Sequence, residues 1–138
     1  MIGVLLFYGF RLVYFSNTVS STPALSSYWS EVAIIIALFI IGWYAIKIVE
    51  SEMGTHDDPG IVIDEIIGQW IALLPIVGTP QPFDLLIGFI LFRFFDILKP
   101  WPIRWLDQKI HTPMGTILDD VAAGVAAGII LYGIKTLL

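Results

Sequence analysis

Long apolar runs alternate with short polar segments along the whole chain. The apolar runs lie at positions 1–15, 32–49, 61–77, 83–98 and 116–138. A helix that crosses a bilayer needs about 20 apolar residues, with about 17 as the lower limit. The runs are therefore typical of short membrane helices, and the first is the shortest. The pattern predicts an all-α fold, a polytopic membrane bundle of four to five short helices that forms one domain over residues 1–138.

The polar segments between the runs contain Gly and Pro and are predicted to be loops: 16–30, 50–60, 78–82 and 99–115. Lys99, Arg104 and Lys109 lie in the last of them. Because loops rich in Lys and Arg stay in the cytoplasm, segment 99–115 is predicted to be cytoplasmic. Threading the chain back from there places segment 50–60 on the same side of the membrane.

The composition narrows the class of protein. Of the 138 residues, 57% are hydrophobic and 14% are charged, whereas soluble domains carry about 25% charged residues. The net charge of −5 and the lack of a basic patch argue against a nucleic-acid-binding protein. The chain has no cysteine, which excludes thiolate nucleophiles, disulfides and cysteine-ligated zinc.

Acidic residues lie within the apolar runs, where charged side chains are not expected. Asp64 and Glu65 lie near the start of the third run, Asp96 near the end of the fourth, and Asp119 and Asp120 near the start of the fifth. A charge at bilayer depth costs roughly 2.5–3.5 kcal/mol on insertion scales, so such residues usually have a function. The predicted topology brings these acids to the cytoplasmic ends of three helices.

Carboxylates that converge repel one another unless a cation shares them. Oxygen ligands without cysteine suit a hard cation, Mg²⁺ first. The nearby cations Arg93, Lys99 and Arg104 are suited to bind a phosphate group. This combination at a membrane surface indicates chemistry on the phosphate of a lipid.

Each of these signals also has a structural explanation. Arg93 and Asp96 are three residues apart on a helix and can neutralise each other. Asp119 and Asp120 can be favoured by the dipole at a helix N-terminus. Gly124 and Gly128 form a GxxxG step, which indicates close helix packing either within the chain or between chains of an oligomer.

Five further titratable residues of the loops are interpreted as solvated side chains: His56, Asp57, Asp58, Asp107 and His111. The two histidines are weak candidates for a general acid. Asp84 is predicted to lie on the opposite side of the membrane and is excluded from the site.

Three segments resemble the signature motifs of the phosphatidylglycerophosphatase A family. They are Asp58-Pro-Gly-Ile-Val-Ile-Asp64-Glu65-Ile-Ile-Gly68-Gln-Trp70, Phe92-Arg93-Phe-Phe-Asp96-Ile-Leu-Lys99-Pro100-Trp-Pro102-Ile-Arg104-Trp-Leu-Asp107 and Gly115-Thr-Ile-Leu-Asp119-Asp120-Val-Ala-Ala-Gly124. The resemblance covers the chain from about Lys47 to the C terminus. Three long motifs in this order and spacing make it specific.

The resemblance implies a Mg²⁺-dependent lipid phosphatase of the bacterial inner membrane that converts phosphatidylglycerophosphate to phosphatidylglycerol and phosphate. It also implies the site residues. The acidic ones, of which a subset would bind Mg²⁺, are Asp64, Glu65, Asp96, Asp119 and Asp120, and the basic ones are Arg93, Lys99 and Arg104. The family's opening Gly- and Pro-rich segment has no counterpart before the first run, so we expect either a start that is assigned late or a shortened member of the family.

Two rival functions remain open at this stage. A small cation or proton transporter also carries carboxylates within the membrane, but would distribute them along its depth. A non-catalytic membrane subunit would keep the fold without turnover. The clustering of acids at one end, beside basic residues, favours the phosphatase.

Overall fold

The structure, a computed structural model, describes residues 2–17, 23–53, 60–76, 81–110 and 113–138. Every regular element in these ranges is a helix, which confirms the all-α prediction. In chain order the helices are α1 (Ile2–Asn17), α2 (Pro23–Met53), α3 (Gly60–Leu73), α4 (Pro82–Leu98), α5 (Ile103–Lys109) and α6 (Pro113–Leu137).

The described ranges hold six helices, where the sequence predicted four to five, and helix boundaries depart most from the prediction in two places. The serine-rich segment predicted as a loop at 16–30 is helical from Pro23 onwards, since serine at a helix surface costs little. The predicted loop at 99–115 contains α5, which follows a turn with a cis Trp101–Pro102 peptide bond. By contrast, α4 begins within one residue of the predicted start and ends at Leu98 as predicted.

Two helices are long and apolar enough to cross a membrane, at Tyr28–Ala45 in α2 and Ile117–Leu137 in α6. The 14 residues of α3 span about 21 Å, less than the roughly 30 Å hydrocarbon core of a bilayer. The described helices therefore show two candidate spans rather than a complete polytopic bundle.

Helix α3 lies at the centre and contacts α1, α2, α4 and α6. Gly124 of α6 lies against the backbone of Gly68, and Gly128 lies against that of Ile71 and Ala72. Because these positions increase together along both helices, α3 and α6 run parallel. The GxxxG step of α6 thus packs against α3 of the same chain. The sequence left open whether this face packs within the chain or between chains of an oligomer, and the structure shows the first.

Helix α4 runs antiparallel to both: Gly88 contacts Leu73 and Leu131, whereas Phe92 contacts Gly68. The end of α4 therefore meets the starts of α3 and α6. Helix α1 runs beside α3 in the same direction, with its first turn at Gln69 and Trp70. Its Phe7 is buried against Trp70. The bundle consequently has one end formed by the acidic segments of three helices.

Candidate active site

Asp64, in the second turn of α3, is the most unusual residue of this acidic end. Its side chain is only 1% exposed, and neither carboxylate oxygen has a hydrogen-bond donor within the part of the chain that the structure describes. Asp119 and Asp120 of α6 lie close enough to act on it electrostatically. A buried carboxylate without donors is costly, so this position is favourable when the group holds a proton or shares a cation.

Glu65, the next residue, is held from two sides. Gln69 donates from Nε2 to Glu65 Oε1 at 3.0 Å, and Arg93 Nη1 of α4 lies 3.4 Å from the same oxygen. The Gln69 side chain is buried, and its Oε1 accepts the backbone N–H of Val4 at 3.1 Å. A glutamine on the apolar helix thereby links the first turn of α1 to the acidic end.

Arg93 and Asp96 form the ion pair expected from their spacing, with Nη1 3.1 Å from Oδ2. The pair does not remove Asp96 from the cluster, because the Asp96 carboxyl also contacts that of Asp120. The Arg93 side chain remains 42% exposed, and guanidinium groups carry five N–H donors. Arg93 is therefore both a partner of the acids and available to a further anion.

Lys99 connects three elements at the end of α4. Its ammonium group lies 2.6 Å from Asp119 Oδ2 of α6 and 2.9 Å from Asp107 Oδ1 of α5. Partial burial alone would lower the pKa of Lys99, but the hydrogen bonds and charges of the two acids outweigh it and raise that pKa. The backbone of Lys99 is left-handed (φ 42°) and caps α4 through a bond to Phe95 O.

The structure places the other predicted site residues less centrally. Arg104 is exposed and makes no ion pair with a described residue. His56, Asp57, Asp58 and His111 lie outside the described residues. Sequence reasoning missed Gln69, whose role depends on α1, and classed Asp107 as a solvated loop acid although it binds Lys99.

The donor set fits a hard cation. Asp64, Asp96, Asp119 and Asp120 offer only oxygen ligands, and no described residue donates a hydrogen bond to either oxygen of Asp64. In the described ranges, no group of three or more Asp, Glu or His side chains is placed to hold a metal ion. Carboxylate oxygens are nevertheless the ligands that Mg²⁺ prefers, and Mg²⁺ usually keeps positions for water and substrate phosphate.

Charged residues at the opposite end of the bundle are arranged differently. Arg11 and Glu31 are both buried and form an ion pair, with Nη2 2.9 Å from Oε2. Lys135, in the last turn of α6, pairs with Asp84 in the first turn of α4. Asp84 thus lies away from the acidic cluster, as the sequence predicted.

A family model described as Phosphatidylglycerophosphatase A matches residues 1–135, reaching farther towards the N terminus than the three motifs. Two relatives bear the same name. The Escherichia coli protein is 41% identical over 105 residues, which cover 75% of this chain and 60% of the relative. The Haemophilus influenzae protein is 41% identical over 97 residues, covering 70% and 59%.

A third relative, from Bacteroides thetaiotaomicron, is 33% identical over 110 residues, covering 79% of this chain and 68% of the relative. Its name gives phosphatidylinositol-3-phosphatase as a provisional activity. The chain spans about three fifths of the length of the first two relatives. No solved structure matches it.

Proposed function

We propose that this chain, which belongs to the phosphatidylglycerophosphatase A family, removes the terminal phosphate of phosphatidylglycerophosphate. The products are phosphatidylglycerol and inorganic phosphate. The observation that carries the proposal is the buried Asp64, without donors, at the centre of a carboxylate cluster that also holds Arg93. A metal-assisted phosphate ester hydrolysis needs this combination of hard ligands and an anion-binding cation.

The acids are proposed to hold Mg²⁺ through a subset of five residues: Asp64, Glu65, Asp96, Asp119 and Asp120. When bound, Mg²⁺ supplies positive charge that orients the phosphate and lowers the pKa of a water molecule. The buried position of Asp64 keeps bulk water from competing for its oxygens. Lys99 fixes Asp119 by a short hydrogen bond, so that its carboxylate keeps one orientation.

Hydrolysis requires that a water oxygen attack phosphorus, that the bond from phosphorus to the glycerol oxygen break, and that this oxygen gain a proton. Asp96 and Asp120 are proposed to hold that proton. The carboxyl groups of Asp96 and Asp120 are in contact, and two negative carboxylates at such close range repel each other. The pair is therefore suited to accept one proton and to return one to the leaving oxygen.

The basic residues divide into two roles. Arg93 is partly exposed beside the acids, so its free N–H groups are proposed to bind the lipid phosphate as a fork. The ammonium of Lys99 is already shared by two carboxylates, which favours positioning of Asp119 over direct binding of phosphate. Arg104, exposed on α5, is proposed to attract the anionic headgroup to the site.

The setting is proposed to be the bacterial inner membrane, crossed several times, with the acidic end on the cytoplasmic side. The two candidate spans in α2 and α6 support a membrane location. The exposed basic residues of α5, Arg104 and Lys109, support the cytoplasmic side for the adjacent acidic end. Reporter fusions after Gly78 and after Lys109 test this, with outside and inside expected, respectively.

Phosphate release from short-chain phosphatidylglycerophosphate in detergent, with Mg²⁺ or with a chelator, tests the activity. We expect turnover that the chelator abolishes and added Mg²⁺ restores. Folded protein without metal-dependent turnover would instead support the non-catalytic subunit. Phosphatidic acid and phosphatidylinositol 3-phosphate belong in the same assay, because the third relative carries a different substrate in its name.

A further inference from the structure

An apolar groove of about 370 Å³ lies on the surface next to the acidic end. The end of α4 and the turn before α5 form one wall through Phe95, Trp101 and Ile103. Helix α6 forms the other through Ala122, Ala126 and Ile129. Small-molecule sites typically occupy concave pockets of roughly 300–1,000 Å³ lined by apolar and aromatic side chains.

The groove begins where the candidate site ends. Phe95 directly precedes Asp96 on α4, and Ala122 follows Asp119 by three residues, about one turn, on α6. Pro100, another lining residue, directly follows Lys99. A ligand that placed a polar group at the carboxylates would therefore find the groove immediately beside it.

The shape of the groove suits a narrow apolar chain. Ala122 and Ala126 leave space where larger side chains would fill the gap between α4 and α6. From Ala122 to Ile129 the groove follows α6 for seven residues, about 10 Å at 1.5 Å per residue.

We propose that this groove binds one acyl chain of the phospholipid whose phosphate is hydrolysed at the carboxylate cluster. The proposal rests on the proposed function and names the part of the substrate that the site does not otherwise account for. Charge complementarity supports this occupant. The lining residue Ile103 directly precedes the exposed Arg104 on α5, and the lining residue Phe95 directly precedes Asp96 of the carboxylate cluster. A molecule with an anionic head and an apolar tail therefore matches the combined surface.

An acyl chain bound in the groove would also contribute to catalysis. An acyl chain held between α4 and α6 would fix the direction from which the headgroup enters. Binding energy from this remote part of the substrate would then be used to orient the phosphate at the reacting centre. Substrates with shortened chains should lose this contribution and become insensitive to the shape of the groove.

The substitution Ala126→Phe, which fills the groove, tests the proposal on dipalmitoyl and dihexanoyl phosphatidylglycerophosphate. We expect kcat/KM to fall by about tenfold or more for the long-chain substrate and by less than about threefold for the short-chain one. Ala37→Phe, the same change on the exposed face of α2, should leave both values within about twofold. Equal losses on both substrates, or no loss on the long-chain one, would overturn the proposal.

A binding measurement separates this proposal from the proposed hydrolysis. The chain has no cysteine, so Ala126→Cys introduces a single thiol. A non-hydrolysable dipalmitoyl phosphonate analogue should slow maleimide labelling of that thiol about fivefold or more, whereas its dihexanoyl counterpart and the Ala37→Cys control should show no change. Protection without turnover would support the groove and reject the hydrolysis, whereas turnover without protection would do the reverse.

Labelling also distinguishes the other occupants. Bulk bilayer lipid would protect the thiol to the same degree with or without the phosphonate analogue. A second copy of the chain would protect it in proportion to protein concentration. Either pattern would reject the acyl chain of the substrate as the occupant.

Discussion

At the end of the bundle where α3 begins, six carboxylates surround two engaged cations, Arg93 and Lys99: Asp64, Glu65, Asp96, Asp107, Asp119 and Asp120. At the opposite end, Arg11 pairs with Glu31 and Lys135 pairs with Asp84. Both ends place charge in or beside apolar helices. Among the described residues, only the first end leaves a surplus of negative charge, and only there do both oxygens of a buried carboxylate lack a hydrogen-bond donor.

The difference separates two uses of buried charge. In a matched pair the two opposite charges compensate each other, so the pair can connect helices without a ligand. Its net contribution to stability is often small. An unmatched cluster is unfavourable in isolation and becomes favourable when a cation binds. The charge balance at each end therefore predicts which substitutions alter catalysis and which alter folding.

The largest effect is expected for Asp64→Asn, which should lower kcat for phosphate release by about a thousandfold, at the upper end for the loss of one preorganised electrostatic group. The free energy of unfolding should fall by no more than about 1 kcal/mol, because a neutral amide costs less to bury than a charge without donors. Turnover and thermal unfolding in detergent measure the two quantities.

Asp84→Asn is the matched control from the opposite end and should change kcat by less than about twofold. Near-normal turnover of the Asp64→Asn protein would remove Asp64 from the catalytic cluster. A strong loss in both variants would show that charge at either end supports the active fold, and the contrast between the ends would disappear.

The second effect is expected at the paired end. Glu31→Gln leaves the Arg11 charge buried without its counter-ion, and breaking a buried pair costs about 3–5 kcal/mol. We expect about 3 kcal/mol, because Gln keeps one acceptor oxygen. Denaturant titration measures the loss, and kcat per folded molecule should be unchanged.

The double variant Arg11→Met with Glu31→Leu sharpens the same point. Removing both charges should recover most of the lost stability, since apolar residues of similar volume often replace a buried ion pair without penalty. If the folded Glu31→Gln protein instead loses turnover, the pair belongs to the catalytic machinery and the two ends do not differ in kind.

The sequence predicted the acidic end well because several independent signals agreed there. Each acid interrupts an apolar run. The basic segment 99–115 was predicted to be cytoplasmic, and this placement predicted which ends of three helices lie on the same side of the membrane. The convergence of Asp64, Asp96, Asp119 and Asp120 followed from helix direction alone. No contact between side chains had to be known.

The partners of these residues could not be predicted in the same way. The contact of Lys99 with Asp119 spans 20 residues and depends on how α4 meets α6. The Arg11–Glu31 pair was missed because serines around Glu31 favoured a loop, whereas α2 begins at Pro23. Gln69 looked like one polar residue on an apolar helix. Its hydrogen bond to Glu65 lies within α3, but the one that it accepts from the backbone N–H of Val4 requires α1 to be in place.

The third prediction compares a lysine from each end. Lys99→Met should lower kcat by roughly 10–100-fold, the usual range for a residue that orients a metal ligand. KM should change by less than about threefold, because the ammonium acts through Asp119 rather than on the substrate. Lys135→Met removes the partner of Asp84 and should change kcat by less than about twofold.

Lys99→Arg helps to separate positioning from charge. Arg keeps the positive charge but presents a wider, planar group, so it should restore only part of kcat. A rise in KM without a fall in kcat for Lys99→Met would instead show that Lys99 binds the substrate phosphate directly, as the sequence alone suggested.

The smallest effect is expected at the border of the acidic end, where Asp107 binds Lys99 with a side chain that is 45% exposed. Exposed ion pairs contribute about 0–1 kcal/mol, so Asp107→Asn should lower kcat by less than about threefold. The kcat of this variant should also vary little with salt concentration. Lys99 would keep its shorter hydrogen bond to Asp119, and the carboxylate that matters for catalysis would stay oriented. If Asp107→Asn reduces kcat as much as Lys99→Met, the position of Lys99 depends on both acids. The set of residues that supports catalysis would then include Asp107 of α5 as well as the buried acids.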